Sequence, residues 1–243
     1  MTLRDLTVAY RERVAVEGVS GVFAAGSLTA IVGANGAGKT TLLHAIAGLV
    51  APRRGSIEVS GAEVQADIAY LPQSDSIDRD FPISVLEFAA LGSWARIGVL
   101  GRIPPELRSR SMEALQAVGL DGIADRVLGE LSVGQFRRAL FARVIMQDAA
   151  IVLLDEPFAG VDAATSADLL ALIQRWHADG RAVLVALHDL EQVLATFPET
   201  LLLACKVIAW GGTAATLTPQ RLVEAGMASL PGSGSRLRPA MPS

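Results

Sequence analysis

A glycine-rich loop between a predicted strand and a predicted helix constrains this chain more than any other feature. The loop reads GANGAGKT from Gly33 to Thr40 and follows the apolar run LTAIV at 28–32. Two glycines separated by four residues and followed by Lys and Thr form the phosphate-binding loop pattern. The glycines let successive backbone N–H groups surround phosphates, and the next helix directs its positive dipole end at them. The sequence therefore predicts a polyphosphate site here.

The end of this loop supplies the predicted contacts with the phosphates of a nucleotide and with Mg²⁺. We expect Lys39 to reach the β- and γ-phosphates and the hydroxyl of Thr40 to ligate Mg²⁺. The surrounding loop completes the predicted nucleotide contact, with Gly33, Ala34, Asn35, Gly36, Ala37, Gly38 and Thr41.

Two carboxylates end another apolar run. Asp155 and Glu156 follow the run at 151–154, and ligands of open parallel sheets bind at the carboxyl ends of the strands. We expect Asp155 to hold Mg²⁺ through water and Glu156 to polarise the water that attacks the γ-phosphate. The alternative is that both acids are surface charges that cap a helix.

Apolar periodicity predicts an α/β chain. Strands are predicted at residues 3–10, 28–32, 151–154 and 182–187. The last two are short, uninterrupted and rich in β-branched residues, which is typical of central parallel strands. A helix is predicted over 40–50, ending before Pro52.

Helical periodicity from about 84 to 147 predicts a helical lobe inserted in the core. Ser84 with Glu87 and Ser132 with Gln135 have the spacing of capping boxes. The turn that begins at Ser132 is also a second candidate anion site, because it opens a helix with exposed N–H groups and a hydroxyl. In isolation, a plain helix cap explains that turn equally well.

Breaker residues predict the remaining boundaries. A helix is predicted over 105–118 with Gly119 at its end, and the last helix is predicted from Thr218-Pro219 to near Gly226. We expect one domain over 1–230, and the composition of 231–243 predicts a disordered tail.

Composition limits the compartment and the partners. No apolar stretch in the 243 residues has the length that a membrane-spanning helix needs. The net charge of −4 gives no basic surface for nucleic acid, so no nucleic-acid partner is expected. The N-terminus lacks a charged-then-apolar leader, which predicts a cytoplasmic location. The single cysteine, Cys205, is predicted to be a small core residue in an apolar strand.

The motifs follow the order seen in the ATP-binding cassette (ABC) family, which the chain resembles over most of its length. The loop at 33–40 resembles the Walker A motif, and the turn at 132–135 resembles the signature loop. Asp155 and Glu156 resemble the Walker B aspartate and the catalytic glutamate. The resemblance implies further nucleotide contacts from Ser132, Gly134 and Gln135.

Four single residues resemble other parts of the same family. Gln73 in YLPQ resembles the Q-loop glutamine, and Asp162 in AGVD resembles the D-loop aspartate. His188 in LVALHDL resembles the switch histidine, and Tyr10 resembles the aromatic residue that stacks on adenine. The implied roles are chemically sound, because Gln73 offers polar groups to Mg²⁺ or water and His188 can stabilise charge at the γ-phosphate. Taken alone, Tyr10 would be strand core and His188 polar surface.

The resemblance implies an α/β fold with a RecA-like P-loop NTPase core, built on a parallel sheet with an N-terminal antiparallel β portion and a helical lobe. It also implies that the signature loop of one cassette closes on the ATP of another, so that a second ATPase subunit, in the simplest case an identical one, is needed. The other implied partners are integral-membrane permease subunits. The implied location is peripheral, on the cytoplasmic face of the cell membrane.

A narrower resemblance points to the ATPases of zinc and manganese uptake systems. It rests on YLPQSDSIDRDFPISVLEFAALG and LDEPFAGVDAAT, and it implies an extracytoplasmic metal-binding protein as a further partner. The alternatives are the ATPase of an exporter, for example of the haem type, a soluble cassette outside transport, or a binding module without catalysis.

Two positions depart from the usual ABC pattern. Val133 stands where most cassettes have glycine, and Phe136 stands where many have a polar residue. If the backbone at Val133 had φ > 0, a β-branched residue would cost about 1–2 kcal/mol, and its side chain would crowd the phosphate. We therefore expect slowed but not abolished hydrolysis.

Overall fold

Strands buried on both faces form the centre of the molecule. The computed structural model describes residues 1–59, 68–73, 79, 81–94 and 103–227. Within them the strands are β1 Thr2–Tyr10, β2 Arg13–Val22, β3 Leu28–Val32, β4 Arg54–Glu58, β5 Ile68–Leu71, β6 Ile151–Asp155, β7 Ala182–Leu187, β8 Glu199–Ala204 and β9 Lys206–Gly212. Every residue of β3, β6 and β7 is buried, which explains their uninterrupted apolar sequences.

The larger sheet is mostly parallel. Its strand order is β5-β6-β7-β3-β8-β9, in which β9 alone runs antiparallel to its neighbour. A second sheet of order β2-β1-β4 is antiparallel. The predicted parallel core and the predicted N-terminal antiparallel portion are both confirmed, and the carboxyl ends of β3 and β6 lie at the same edge of the larger sheet.

Helices cover both faces of that sheet. They are α1 Lys39–Ile46, α2 Val85–Ala90, α3 Pro105–Ala117, α4 Val133–Gln147, α5 Ala163–Ala178, α6 Leu190–Thr196, α7 Thr213–Thr216 and α8 Pro219–Glu224. One face packs against α1 and the smaller sheet, and the other packs against α2, α4 and α5. Alternation along β3 shows this. Ile31 packs with α1 and the smaller sheet, whereas Ala30 and Val32 pack with α2, α4 and α5.

Most of the predicted element boundaries are confirmed within two residues. Both predicted capping boxes exist, since the Ser84 and Ser132 hydroxyls accept from the N–H groups of Glu87 and Gln135, whose side chains accept in return. The helix predicted over 40–50 is shorter than expected: α1 stops at Ile46 because Gly48 adopts a positive φ of 73°.

The predicted helical lobe is segmented. Helices α2, α3 and α4 pack against one another. Short 3₁₀ turns follow α2 and lie between α3 and α4. The predicted disordered tail at 231–243 lies outside the described residues. None of the helices in the described ranges is long and apolar enough to cross a membrane.

Candidate nucleotide site

The glycine loop joins β3 to α1 and is held tightly between neighbouring strands. A Cβ at Gly33 would come within 2.3 Å of the Leu203 carbonyl oxygen, and one at Gly38 within 2.4 Å of the Ala15 carbonyl oxygen. Gly38 also has a φ of 99°, which side chains rarely adopt. Only glycine fits at these two positions, so the loop conformation depends on both.

Lys39 is folded across the loop. Its ammonium donates to the carbonyl oxygens of Gly33, at 2.8 Å, and Ala34, at 3.3 Å. Burial lowers the pKa of Lys39, while the carboxylates of Glu156 and Asp155 act in the opposite direction. The charges of both acids therefore act on the ammonium, which lines the cleft where a polyphosphate would bind.

An open cleft of about 560 Å³ lies over the loop. Among the residues predicted to bind nucleotide or to act in catalysis, its lining includes Tyr10, Asn35, Gly36, Ala37, Gly38, Lys39, Thr40, Thr41, Gln73 and Glu156. Tyr10 is exposed rather than buried in the strand core. The Gln73 amide donates to the Thr40 hydroxyl at 3.5 Å, which brings two predicted Mg²⁺ ligands together.

Asp155 has the properties of a ligand for a hard cation. Its side chain is fully buried, and among the described residues no group makes a hydrogen bond of good geometry to either carboxylate oxygen, although the hydroxyls of Thr40 and Tyr70 lie close enough to act on it. Burial raises the pKa of Asp155, and the Glu156 carboxylate raises it further, while Thr40, His44 and Lys39 lower it. Mg²⁺ is bound through one or two carboxylates together with phosphate oxygens and water. The donor set of Asp155, Thr40 and Gln73 therefore suits Mg²⁺.

Two residues beside Asp155 were missed by the sequence analysis. Burial and the Asp155 charge raise the pKa of the Tyr70 hydroxyl, and the Tyr70 ring meets the His44 ring edge to face at 5.5 Å. His44 follows Thr40 by four residues, so helical spacing alone indicates a common face. Tyr70 reaches the site because β5 pairs with β6, and nothing in the sequence predicts that pairing.

Glu156 lies between two clefts. It lines the cleft over the loop and also a second cleft of about 640 Å³, which includes His188. The His188 Nδ1 is 3.9 Å from the Glu156 Oε1. Glu156 has a positive φ of 47°, a backbone conformation that costs energy in a non-glycine residue.

The turn at Ser132 lies next to the segment that follows Glu156, away from the cleft over the loop. A Cβ at Gly160 would be 3.4 Å from the Val133 side chain, and the Arg137 guanidinium donates to the Ala159 carbonyl oxygen at 2.9 Å. Ser132, Gly134, Gln135 and Asp162 do not line the cleft over the loop. The structure therefore separates these predicted contacts from the others within one chain.

Asp162 begins helix α5. Its carboxylate accepts from the Thr165 N–H at 2.8 Å and from the Thr165 hydroxyl at 3.1 Å. These bonds lower the pKa of Asp162. The aspartate is thus a charged N-cap, and a Cβ at Gly134 would lie 3.6 Å from the same Thr165 hydroxyl.

The strain expected at Val133 is absent. Val133 is the first residue of α4 and is not among the described residues with positive φ, so a β-branched side chain is tolerated there. Its side chain is 48% exposed. Any effect of Val133 therefore arises from the surface that it presents and not from its backbone.

Cys205 was assigned wrongly from the sequence. It lies between β8 and β9 with φ 58°, its N–H donates to the Ala37 carbonyl oxygen at 2.9 Å, and it lines the cleft. Arg13, Val14 and Ala15 also line the cleft without having been predicted. Their backbone approach to the loop depends on sheet geometry, for which the sequence has no signal.

Comparisons with known proteins agree with this geometry. The ABC transporter family profile matches residues 16–159. The manganese transport system ATP-binding protein MntB of Listeria monocytogenes is 36% identical, over 91% of this chain and 94% of its own length. The zinc transport system ATP-binding protein TroB of Treponema pallidum is 38% identical, over 89% of this chain and 82% of its own.

A solved structure has the same fold. It is an inward-facing ABC transporter described as being of the metal-chelate type, with a TM-score of 0.81, 28% identity, and coverage of 93% of this chain and 88% of that one. The glycine loop with its buried lysine and the two acids at the end of β6 define a P-loop nucleotide-binding protein. The chain belongs to the ABC transporter family, as the component that binds and hydrolyses ATP.

Replacing Asp155 by asparagine should stabilise the nucleotide-free protein. A carboxyl with a raised pKa in the folded state binds its proton more tightly there than when unfolded, so its ionisation destabilises the fold above its ordinary pKa of 3.8. We expect Asp155→Asn to raise the melting temperature at pH 7 by about 2–4 °C for each kcal/mol recovered, with a smaller gain at acidic pH.

Thermal melts over a pH series measure this effect, with the exposed Asp121→Asn as a control. Addition of MgATP should stabilise the original protein more than Asp155→Asn, because the variant lacks the anionic ligand. A lower melting temperature for nucleotide-free Asp155→Asn at pH 7 would contradict the account.

Proposed function

We propose that the chain hydrolyses ATP through Lys39, Asp155 and Glu156 to power the import of zinc or manganese through a separate permease. The observation that supports the catalytic part is the fully buried Asp155 carboxylate, which lies beside the Thr40 hydroxyl and the Lys39 ammonium. Bound Mg²⁺ would offset the negative charge of the phosphates. The loop N–H groups and Lys39 hold the β- and γ-phosphates, and Tyr10 stacks on adenine.

Glu156 acts as the general base in this proposal. It lines the same cleft as Lys39 and Thr40, and a carboxylate there orients and polarises the attacking water. His188, at 3.9 Å from Glu156, donates to the γ-phosphate as negative charge develops. Gln73, whose amide donates to the Thr40 hydroxyl, offers polar groups to Mg²⁺ or water on that side of the cleft.

A second cassette completes the site. Ser132, Gly134, Gln135 and Asp162 belong to a surface that does not face this chain's own cleft, and the start of α4 offers N–H groups to an anion. We propose that two identical chains pair so that each Ser132 turn contacts the nucleotide bound by the other. A two-fold axis then makes both sites complete.

The permease would dock on the surface around Phe81. This side chain is 58% exposed, although a large aromatic residue would ordinarily be buried. It lies in the FPIS segment, which is part of the stretch that resembles the ATPases of zinc and manganese uptake systems. Ser84 in that segment caps α2. In this proposal the chain lies on the cytoplasmic face of the membrane, and an extracytoplasmic protein delivers the metal to the permease.

The proposal predicts that Glu156→Gln retains ATP binding and loses most turnover. Glutamine keeps the shape of the side chain and lacks the charge that polarises water, and loss of a general base costs about 10²–10⁴-fold. Steady-state hydrolysis, fluorescent nucleotide binding and sedimentation measure the three properties. A nucleotide-bound dimer should accumulate, and the exposed Glu113→Gln should behave like the original protein. Undiminished hydrolysis by Glu156→Gln would remove Glu156 from its role.

Val133→Gly should raise the hydrolysis rate without raising the melting temperature. No backbone strain exists to be relieved, and glycine at a helical position costs about 0.5–1 kcal/mol. The gain would come from removing the branched side chain from the face that meets the second nucleotide. Rates and thermal melts separate the two effects, and an unchanged rate would show that the interface accepts valine.

The transported ion is tested by growth. A strain that lacks this chain should grow poorly when zinc or manganese is scarce, and the missing metal alone should restore its growth. The original chain should complement the deletion, whereas Glu156→Gln should not. If growth of the deletion strain does not depend on either metal, the import proposal is contradicted, whereas the conclusion that the chain hydrolyses ATP is unaffected.

A further inference from the structure

Arg79 contacts the helix that begins at the Ser132 turn. Its guanidinium carbon lies 4.7 Å from the centre of the Phe136 ring, within the range of a cation–π interaction. Phe136 is fully buried at 1% exposure, on the first turn of α4. The aromatic side chain at a position where many cassettes have a polar residue thus has a defined partner.

Arg79 also contacts the turn itself. Its Nη2 donates to the carbonyl oxygen of Leu131, the residue immediately before Ser132. A Cβ at Gly129 would lie 3.1 Å from the Arg79 carbonyl oxygen, so both backbones are in close contact. One side chain therefore holds the entry to the turn through a hydrogen bond and the start of the helix through ring stacking.

The Phe136 ring, on which Arg79 stacks, also packs against a second helix. The Phe136 and Phe88 rings have centroids 6.1 Å apart, and the Arg143 guanidinium lies 5.6 Å from the Phe88 ring centre. Phe88 belongs to α2 and Arg143 to α4. Because the Phe136 ring is held by its own helix and by its contact with Phe88 on α2, Arg79 defines the position of the Leu131 carbonyl relative to the helical lobe.

We propose that Arg79 is a positioning residue for the Ser132 turn, which it holds in the orientation that meets the second copy's nucleotide. This inference rests on the proposed function, since the turn acts only when two copies pair. Arg79 is six residues after Gln73, which contacts Thr40 in the cleft of its own copy. Arg79 does not line that cleft, so its loss should affect turnover and not the initial binding of nucleotide.

The test compares variants that keep different parts of the contact. Arg79→Met keeps length and apolar character but loses the charge and the hydrogen bond, whereas Arg79→Lys keeps the cation over the ring. Phe136→Leu keeps an apolar core residue and removes the ring. Arg108→Met removes an exposed arginine from α3 in the same lobe and is the matched control.

We expect Arg79→Met to lower kcat about ten- to a hundredfold, since small misplacement of a group in a reaction site has effects of that size. Affinity for a fluorescent ATP analogue should stay within about twofold, because the loop cleft is intact. Arg79→Lys should recover part of kcat, Phe136→Leu should lower it, and Arg108→Met should not change it. Amide hydrogen exchange at 132–135 should be faster in nucleotide-free Arg79→Met.

Two results would overturn the inference. The first is that either measured property of Arg79→Met stays unchanged: kcat within about twofold of the original protein, or the same rate of amide hydrogen exchange at 132–135. The other is a parallel loss of kcat, nucleotide affinity and melting temperature that Arg79→Lys does not restore, which indicates a purely structural role. If the original protein does not hydrolyse ATP, the proposed function fails, and the exchange measurement alone decides whether Arg79 holds the turn.

Discussion

The backbone of the glycine loop passes so close to the Ala15 and Leu203 carbonyl groups that no side chain fits at Gly38 or Gly33. This contact joins the antiparallel sheet, the parallel sheet and α1 at one point, and it orients Lys39 across the loop. The charges around the cleft depend on this arrangement, because Lys39 and Asp155 are both buried and each acts on the pKa of the other. The fold thus holds two desolvated groups of opposite charge where a magnesium–nucleotide complex can bind.

Much of the architecture could be predicted because apolar pattern and breaker residues determine local structure. The limits of β3 and β7 and both capping boxes are as expected, since short buried strands and polar N-caps have direct sequence signals. The predicted end of α1 was wrong because the positive φ of Gly48 stops the helix earlier. The prediction that Cys205 is a core residue of a strand was wrong because a tight turn at this residue divides the apolar run into two strands.

Long-range contacts could not be predicted from the sequence. The Tyr70 side chain reaches Asp155 through the pairing of β5 with β6, and the positive φ of Glu156 follows from how the chain leaves β6. The stacking of Arg79 on Phe136 joins residues that are far apart in sequence. Loop motifs locate the chemistry, therefore, while residues that position it emerge only when packing is known.

The central claim is that each nucleotide is held by one copy's Lys39 loop and covered by the other copy's Ser132 turn. The most direct measurement mixes two inactive variants, Lys39→Ala and Ser132→Arg, and records ATP hydrolysis. A mixed pair contains one site with an intact loop and an intact turn, so the account predicts that the mixture regains activity that neither variant has alone. A mixture as inactive as its components, with mixed pairs present by sedimentation, would contradict the account.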